Sequence, residues 1–316
     1  MGSCVVVLPA ARPDLSVLDH FTGGAPVTRF APSPTGYLHL GHVVNAIYVW
    51  GLARATGGRV LLRIEDHDRQ RSRPEFEAAI LEDLAWLGLT WDEPLVRQSE
   101  RGAIYESALN GLRARGLVYA CGCTRADVAR AGAAQPLRGR QHAEPEMLPL
   151  HASESELRTL HSNDEVRYAG TCRDRALAEG PGVGLRVRLE PTVERFVDLR
   201  HGPQAQQPSE QCGDLLVRDR DGNWTYQFAA TVDDYAQGVT LVVRGDDLLA
   251  STGRQIQLAR LLGRAEPPAF LHHPLIMKSP LQKLSKSDGD TGIRELRERG
   301  LTPAQVIERA LSLAGV

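Results

Sequence analysis

Apolar residues fall along this chain in two rhythms. Short continuous runs predict buried strands, and apolar positions three or four apart predict helices. Residues 27–31 (VTRFA) and 59–65 (RVLLRIE) are runs of the first kind. Between them a helical pattern starts near His39 and stops at Gly57-Gly58, where glycine releases the helix end. Residues 66–73 form a charged loop. Pro74 then opens a helix whose apolar positions are Phe76, Ile80, Leu84 and Leu87, with Glu75 and Glu77 placed to favour its dipole. A further helix is predicted over 101–115, ended by Gly116. Strands alternating with helices imply a parallel sheet with crossover helices.

The pattern changes downstream. Residues 117–120 lead into Cys121-Gly122-Cys123, and from about Ala129 to Asp164 periodicity is lost, which reads as an insertion. Residues 184–189 and 194–199 alternate like strands. Residues 214–220 and 223–230 flank Asp221-Gly222 and predict a hairpin. A buried strand is expected over 239–243, a helix over 252–262 and helical stretches within 291–314. No internal repeat is visible. The chain divides into an N-terminal extension (1–25), a Rossmann first half (26–120), an insertion (121–205), a Rossmann second half (206–275) and a C-terminal segment (276–316).

Composition narrows the class. A chain of 316 residues, 42% hydrophobic and 24% charged, suits one or two globular domains. Thirty-seven basic against 39 acidic residues leave a net charge of −2, so a polyanionic partner must be met by a local basic face. Arginines cluster between Arg97 and Arg140 and suit phosphate contacts. No apolar run approaches ~18 residues, and residues 1–25 lack the basic start of a signal peptide. Five cysteines, two of them as Cys121-x-Cys123, argue for a reduced compartment, with cytoplasm expected. Cys4 and Cys212 look incidental.

The chemistry concentrates in VTRFAPSPTGYLHLGHVVNAIYVW, residues 27–50. A strand, a Gly/Pro loop and a helix start make a phosphate cradle, because helix N-termini present unpaired N–H groups and a positive dipole end. His39 and His42 lie three residues apart on that first turn and face the same way. A second segment, KLSKS from Lys283 to Ser287, follows about 240 residues later. HLGH and KLSKS, in that order, resemble the paired motifs of class I aminoacyl-tRNA synthetases. LLRIEDHDRQRS, FVDLRHG, DLLVRDRDGNWTYQFAATVDD and VVRGDDLLASTGRQ narrow the resemblance to the glutamyl branch, over roughly residues 26 to 295.

Only 29 residues follow Ser287, fewer than the helical anticodon-binding domain of full glutamyl-tRNA synthetases needs. With Cys121-x-Cys123 and Tyr168-x-x-x-Cys172 matching its zinc pattern, the chain resembles the glutamyl-Q tRNA(Asp) synthetase family. The resemblance implies an α/β Rossmann-type catalytic domain, an inserted zinc-binding and acceptor-binding region, and a short C-terminal helical segment. It implies ATP, L-glutamate and the tRNA(Asp) anticodon arm as partners, Mg²⁺ with the ATP, one structural Zn²⁺, and a monomer. Glutamate would be activated without tRNA and passed to queuosine at the wobble position. Two alternatives are a truncated synthetase that charges the tRNA terminus and a non-catalytic RNA-binding paralogue. The second predicts loss of a motif residue, and all are present.

The residue roles follow. His39, His42 and Lys286 are the catalytic candidates and, with Lys283, the ATP-binding ones. The resemblance assigns glutamate to Arg29, Phe30, Ala31, Pro32, Ser33, Glu65, Tyr226 and Arg244. Glutamate needs an arginine for a carboxylate and an acid for its ammonium; either Arg29 or Arg244 could clamp the side chain. For zinc, Cys121, Cys123 and Cys172 supply thiolates. Residue chemistry alone looks for the fourth ligand among His142, His151 and His161, whereas the family pattern selects Tyr168.

Overall fold

The first two apolar runs lie side by side as parallel strands. The computed structural model describes residues 24–133, 166–279, 282–283 and 292–315. In it β1 (Val27–Phe30) pairs with β2 (Arg59–Ile64), Val27 opposite Arg59 and Phe30 opposite Leu62. Parallel pairing requires a crossover, supplied by α1 (Leu40–Ala55). That helix is apolar nearly all round, with Leu40, Val43, Ile47, Val49 and Trp50 among its buried residues, so it is packed on several sides. Next come α2 (Pro74–Trp86), β3 (Val96–Arg97) and α3 (Gly102–Ala114). Glu75 and Glu77 sit in the first turn of α2, as the sequence predicts.

The chain continues through β4 (Val118–Cys121), α4 (Arg125–Ala133), β5 (Gly184–Val187), β6 (Glu194–Asp198), β7 (Gly202–Gln206), α5 (Pro208–Gln211) and β8 (Leu215–Arg218). It then forms α6 (Tyr226–Ala236), β9 (Leu241–Gly245), α7 (Thr252–Leu261), β10 (Ala269–His273), β11 (Met277–Ser279), β12 (Gln282–Lys283), α8 (Ile293–Glu298) and α9 (Pro303–Ala314). Among the described residues no helix is long and apolar enough to cross a membrane.

Three sheets organise these elements besides the β11–β12 hairpin. Strands β1, β2 and β3 are parallel; β9, β10 and β6 are parallel with β7 antiparallel at the edge; β4, β5 and β8 form an antiparallel sheet apart. The first two sheets adjoin, because the Thr240 N–H donates to the Val27 carbonyl at 2.8 Å and the Val27 N–H to Thr240 Oγ1 at 2.9 Å. The C-terminal ends of β1, β2, β9 and β10 therefore meet at one crevice, where open α/β sheets take ligands.

Two sequence expectations need correction. The turn at Asp221-Gly222 forms, but only Arg218 and Trp224 pair across it, and most of 223–230 enters α6 instead of a second strand. Trp224, Phe228 and Val232 recur at helical spacing and pack on Tyr105 and Leu258, and that burial overrides the hairpin signal. Strands β6 and β7, counted with the insertion by the sequence, pair with β10 and belong to the second-half sheet. Strand β10 itself carries a weak signal, since two histidines interrupt its apolar run. Insertion residues 134–165 lie outside the described residues, as does Lys286.

Candidate functional site

The HLGH turn is fastened by its own histidines. His39 is the N-cap of α1: its Nδ1 accepts the Gly41 N–H at 3.1 Å, and its own N–H donates to His42 Nδ1 at 3.1 Å. This is a reciprocal capping box with imidazoles in place of the usual hydroxyl and carboxamide. Because each Nδ1 accepts, each neutral ring carries its proton on Nε2. The ring centroids are 4.0 Å apart. Gly41 permits the arrangement, since a Cβ there would lie 2.9 Å from His39 Cε1. One turn on, Asn45 Nδ2 meets His273 Nε2 at 3.0 Å, and His273 stacks on Tyr48.

A cleft of about 370 Å³ opens beside this turn. Arg29, Phe30, Ala31 and Pro32 from the end of β1 line it, with Glu65 after β2, Tyr226 at the start of α6 and Arg244 in β9. His39 and His42 lie at the same cleft. Of the residues the family resemblance assigned to glutamate, Ser33 alone does not line it; its carbonyl accepts the Thr35 N–H at 2.8 Å.

A buried ionic network holds these side chains. Arg29 donates from Nε to Asp234 Oδ1 at 3.0 Å and from Nη1 to the Val243 carbonyl at 3.2 Å. Arg63, fully buried, donates to Asp234 Oδ1 at 2.8 Å, Gln237 Oε1 at 2.9 Å and Glu65 Oε1 at 3.1 Å. Burial raises the Glu65 pKa, against the opposing pull of Arg63 and Arg29. Asp234 is buried too, yet Arg29 and Arg63 hold it below the usual carboxylate range. Burial, then the charge of Glu65, pushes the Tyr226 phenol up, which keeps it a hydroxyl donor. Arg244 donates from Nε to His272 Nε2 at 2.9 Å, from Nη1 to Gln255 Oε1 at 2.6 Å and from Nη2 to Thr252 Oγ1 at 2.8 Å. Arg63, Asp234, Thr252, Gln255 and His272 were not singled out by the sequence reading. All but His272 sit inside motif stretches, and the one signal there is Arg63, a charged residue within an apolar run.

The two lysines fare differently. Lys283 lies in β12, its backbone paired with Met277 of β11. Lys286 falls outside the described residues. The chain resumes beside HLGH: Gly292 bridges to His39, and the Ile293 N–H donates to the Leu38 carbonyl at 3.0 Å.

On the far side of Tyr226 lies a larger groove of about 1060 Å³, with Arg71, Arg125, Arg220 and Trp224 on its walls and Cys121, Cys123 and Tyr168 along one side. Ligand atoms of Cys121, Cys123 and Cys172 all lie within 4.8 Å of one another. Cys123 and Cys172 Sγ are 3.6 Å apart, and the Tyr168 hydroxyl oxygen accepts the Cys121 S–H at 3.5 Å and the Cys172 N–H at 2.8 Å. Bonds of about 2.0–2.3 Å from a tetrahedral zinc give ligand–ligand edges of roughly 3.3–3.8 Å, so this donor set fits such an ion. Arg186 completes the surroundings, its Nε 3.4 Å from Cys121 Sγ and its Cζ 3.7 Å from the Tyr168 ring centre. Burial works against ionising the Cys121 thiol, but its hydrogen bonds with Tyr168 and Arg186 hold its pKa below the ordinary value. Burial and the neighbouring Cys172 push Cys123 up to about 12. His142, His151 and His161 lie outside the described residues.

The chain is also similar to known proteins. The family model for tRNA synthetases class I (E and Q), catalytic domain, matches residues 26–316. The chain is 39% identical over 292 residues to the glutamyl-Q tRNA(Asp) synthetase of Rhodobacter capsulatus, covering 89% of this chain and 98% of that one. It is 45% identical over 264 residues to the enzyme of the same name from Bordetella bronchiseptica, covering 83% and 75%. Among solved structures, the glutamate tRNA ligase from Elizabethkingia meningosepticum in complex with its amino acid superposes with a TM-score of 0.62 at 30% identity, over 84% of this chain and 53% of that chain. The chain belongs to the class I tRNA synthetases (E and Q) and, within them, to the glutamyl-Q tRNA(Asp) synthetase group of ligases.

Proposed function

We propose that the protein activates L-glutamate with ATP, without tRNA, and transfers the glutamate to queuosine at the wobble position of tRNA(Asp). The observation that carries this reading is a single cleft with two chemical ends: imidazole donors at a helix N-terminus, and arginines beside a buried carboxylate. Arg244, or Arg29, clamps a carboxylate of glutamate through its planar fork. Arg63 occupies Oε1 of Glu65, which leaves the second oxygen for the ammonium. Tyr226 adds a hydroxyl contact.

Activation asks mainly for position and charge stabilisation. The glutamate carboxylate attacks the α-phosphorus in line, and pyrophosphate leaves. His39 and His42, with Nε2–H groups fixed by their Nδ1 bonds, donate to phosphate oxygens at the N-terminus of α1, with Lys283 and Lys286 adding positive charge. Mg²⁺ arrives with the ATP and screens its phosphates. In the second step a queuosine hydroxyl attacks the mixed anhydride and adenylate leaves; the groove beyond Tyr226, with its arginines and Trp224, suits an approaching nucleoside. Cys121, Cys123, Cys172 and Tyr168 would hold zinc in a structural role, tying β4 to the segment that carries Tyr168.

The test offers labelled glutamate and ATP with queuosine-containing tRNA(Asp), unmodified tRNA(Asp) or tRNA(Glu). Labelling of the first alone is expected. Transfer to tRNA(Glu) alone would overturn the reading in favour of terminal charging.

A further inference from the structure

We propose that Asp198 and His272 form a buried positioning relay that sets how Arg244 presents its guanidinium to a ligand carboxylate. The inference rests on the clamp reading of Arg244 and adds two residues to it. Asp198 lies at the end of β6 and His272 in β10, and neither side chain is exposed. Four N–H groups fix the carboxylate: those of Arg200 at 3.0 Å and His201 at 2.9 Å on Oδ1, and the His272 backbone at 3.1 Å and Nδ1 at 2.6 Å on Oδ2.

The direction of every bond follows from Arg244. A guanidinium only donates, so His272 Nε2 accepts from Nε and the ring proton resides on Nδ1, pointing at Asp198. The opposite tautomer, or an imidazolium, would set an N–H against the Arg244 Nε–H. Burial lowers the His272 pKa and so favours the neutral ring this chain of bonds requires.

The relay decides which fork the arginine offers. Three of its five N–H groups are engaged, by His272, Gln255 and Thr252. With Nε held by His272, the side-on fork of Nε and Nη2 is closed. One N–H on each terminal nitrogen is left to meet a carboxylate approaching end-on. Gln255 and Thr252 grip the terminal nitrogens from α7; His272 grips Nε from β10, and that bond selects the fork.

Glutamate-dependent ATP–pyrophosphate exchange tests this with three variants. His272→Leu removes the acceptor and is expected to raise KM for glutamate about tenfold or more, as loss of one bond to a charged group would, with KM for ATP unchanged. In His272→Gln the amide oxygen can accept from Nε, and most of the affinity returns. Equal effects of the two substitutions, or KM values for glutamate and ATP rising together, would overturn the relay. Arg244→Ala separates the two layers of argument. If it leaves KM for glutamate unchanged, the clamp reading fails; if it raises KM while His272→Leu does not, only the relay fails. Nitrogen-15 spectra of the folded wild-type protein give a second readout independent of variant stability, with the His272 signal assigned by its loss in His272→Gln. An Nδ1–H tautomer is expected, and an Nε2–H tautomer refutes the proposal.

Discussion

Two buried polar clusters flank Tyr226, and they are satisfied in opposite ways. Beneath the small cleft, Arg29, Arg63 and Arg101 meet Glu65, Asp233 and Asp234 in a network whose charges cancel within the protein. Along the larger groove, three thiols and a phenol converge with only weak sulfur hydrogen bonds among them. The first cluster is preorganised by its own ion pairs. The second is a set of donors whose best partner is a cation. Preorganisation by internal ion pairs and a donor set suited to an ion are thus found within one chain, and each can be broken separately.

The largest effect is expected from Arg63→Met. Removing the cation leaves Glu65 and Asp234 buried with one partner fewer, which costs about 3–5 kcal/mol of folding stability. Denaturant unfolding measures it, and a loss below about 1 kcal/mol would mean that the network is not what holds this side of the cleft. Cys172→Ser comes next. The wild-type protein should purify with about one zinc per chain and the variant with none, at a stability loss of roughly 1–3 kcal/mol. A zinc-free wild type with an unperturbed variant would reduce the cluster to ordinary thiols.

Acidification gives the finest distinction. The Asp234 pKa is depressed in the folded protein, so its stabilisation is complete above the ordinary value of 3.8 and lost as pH falls through the folded value. Thiolate ligands compete with protons much earlier, so metal affinity falls from neutral pH downward. Lowering the pH should release zinc to a chromogenic chelator before far-UV circular dichroism reports unfolding. Coincident transitions would show that the clusters are not independent.

The parts of the site readable from the sequence share one property: each lies in a local motif. Arg29, His39, His42, Glu65 and Arg244 belong to segments where a strand end or helix start fixes the side chain within a few residues, and each lines the cleft. Ser33 shares that segment, yet its side chain does not line the cleft. The hairpin expected after Asp221-Gly222 failed because a turn signal specifies only the turn; whether Trp224, Phe228 and Val232 continue as strand or helix depends on the surface they bury against. Tyr168 is intermediate: the family pattern named it, while residue chemistry alone pointed to histidines.

By itself the sequence determined the Rossmann alternation, the two synthetase motifs and most of the residues that line the cleft, because periodicity and capping act over a few residues. Tertiary structure alone decided which groups hold those residues in place. Arg63 is 171 residues from Asp234, and Asp198 is 74 from His272. Buried charges must find partners wherever the sheet brings them. The order β7-β6-β10-β9 brings Asp198 of β6 to His272 of β10, strands far apart in the chain, and sets His272 beside Arg244 of β9.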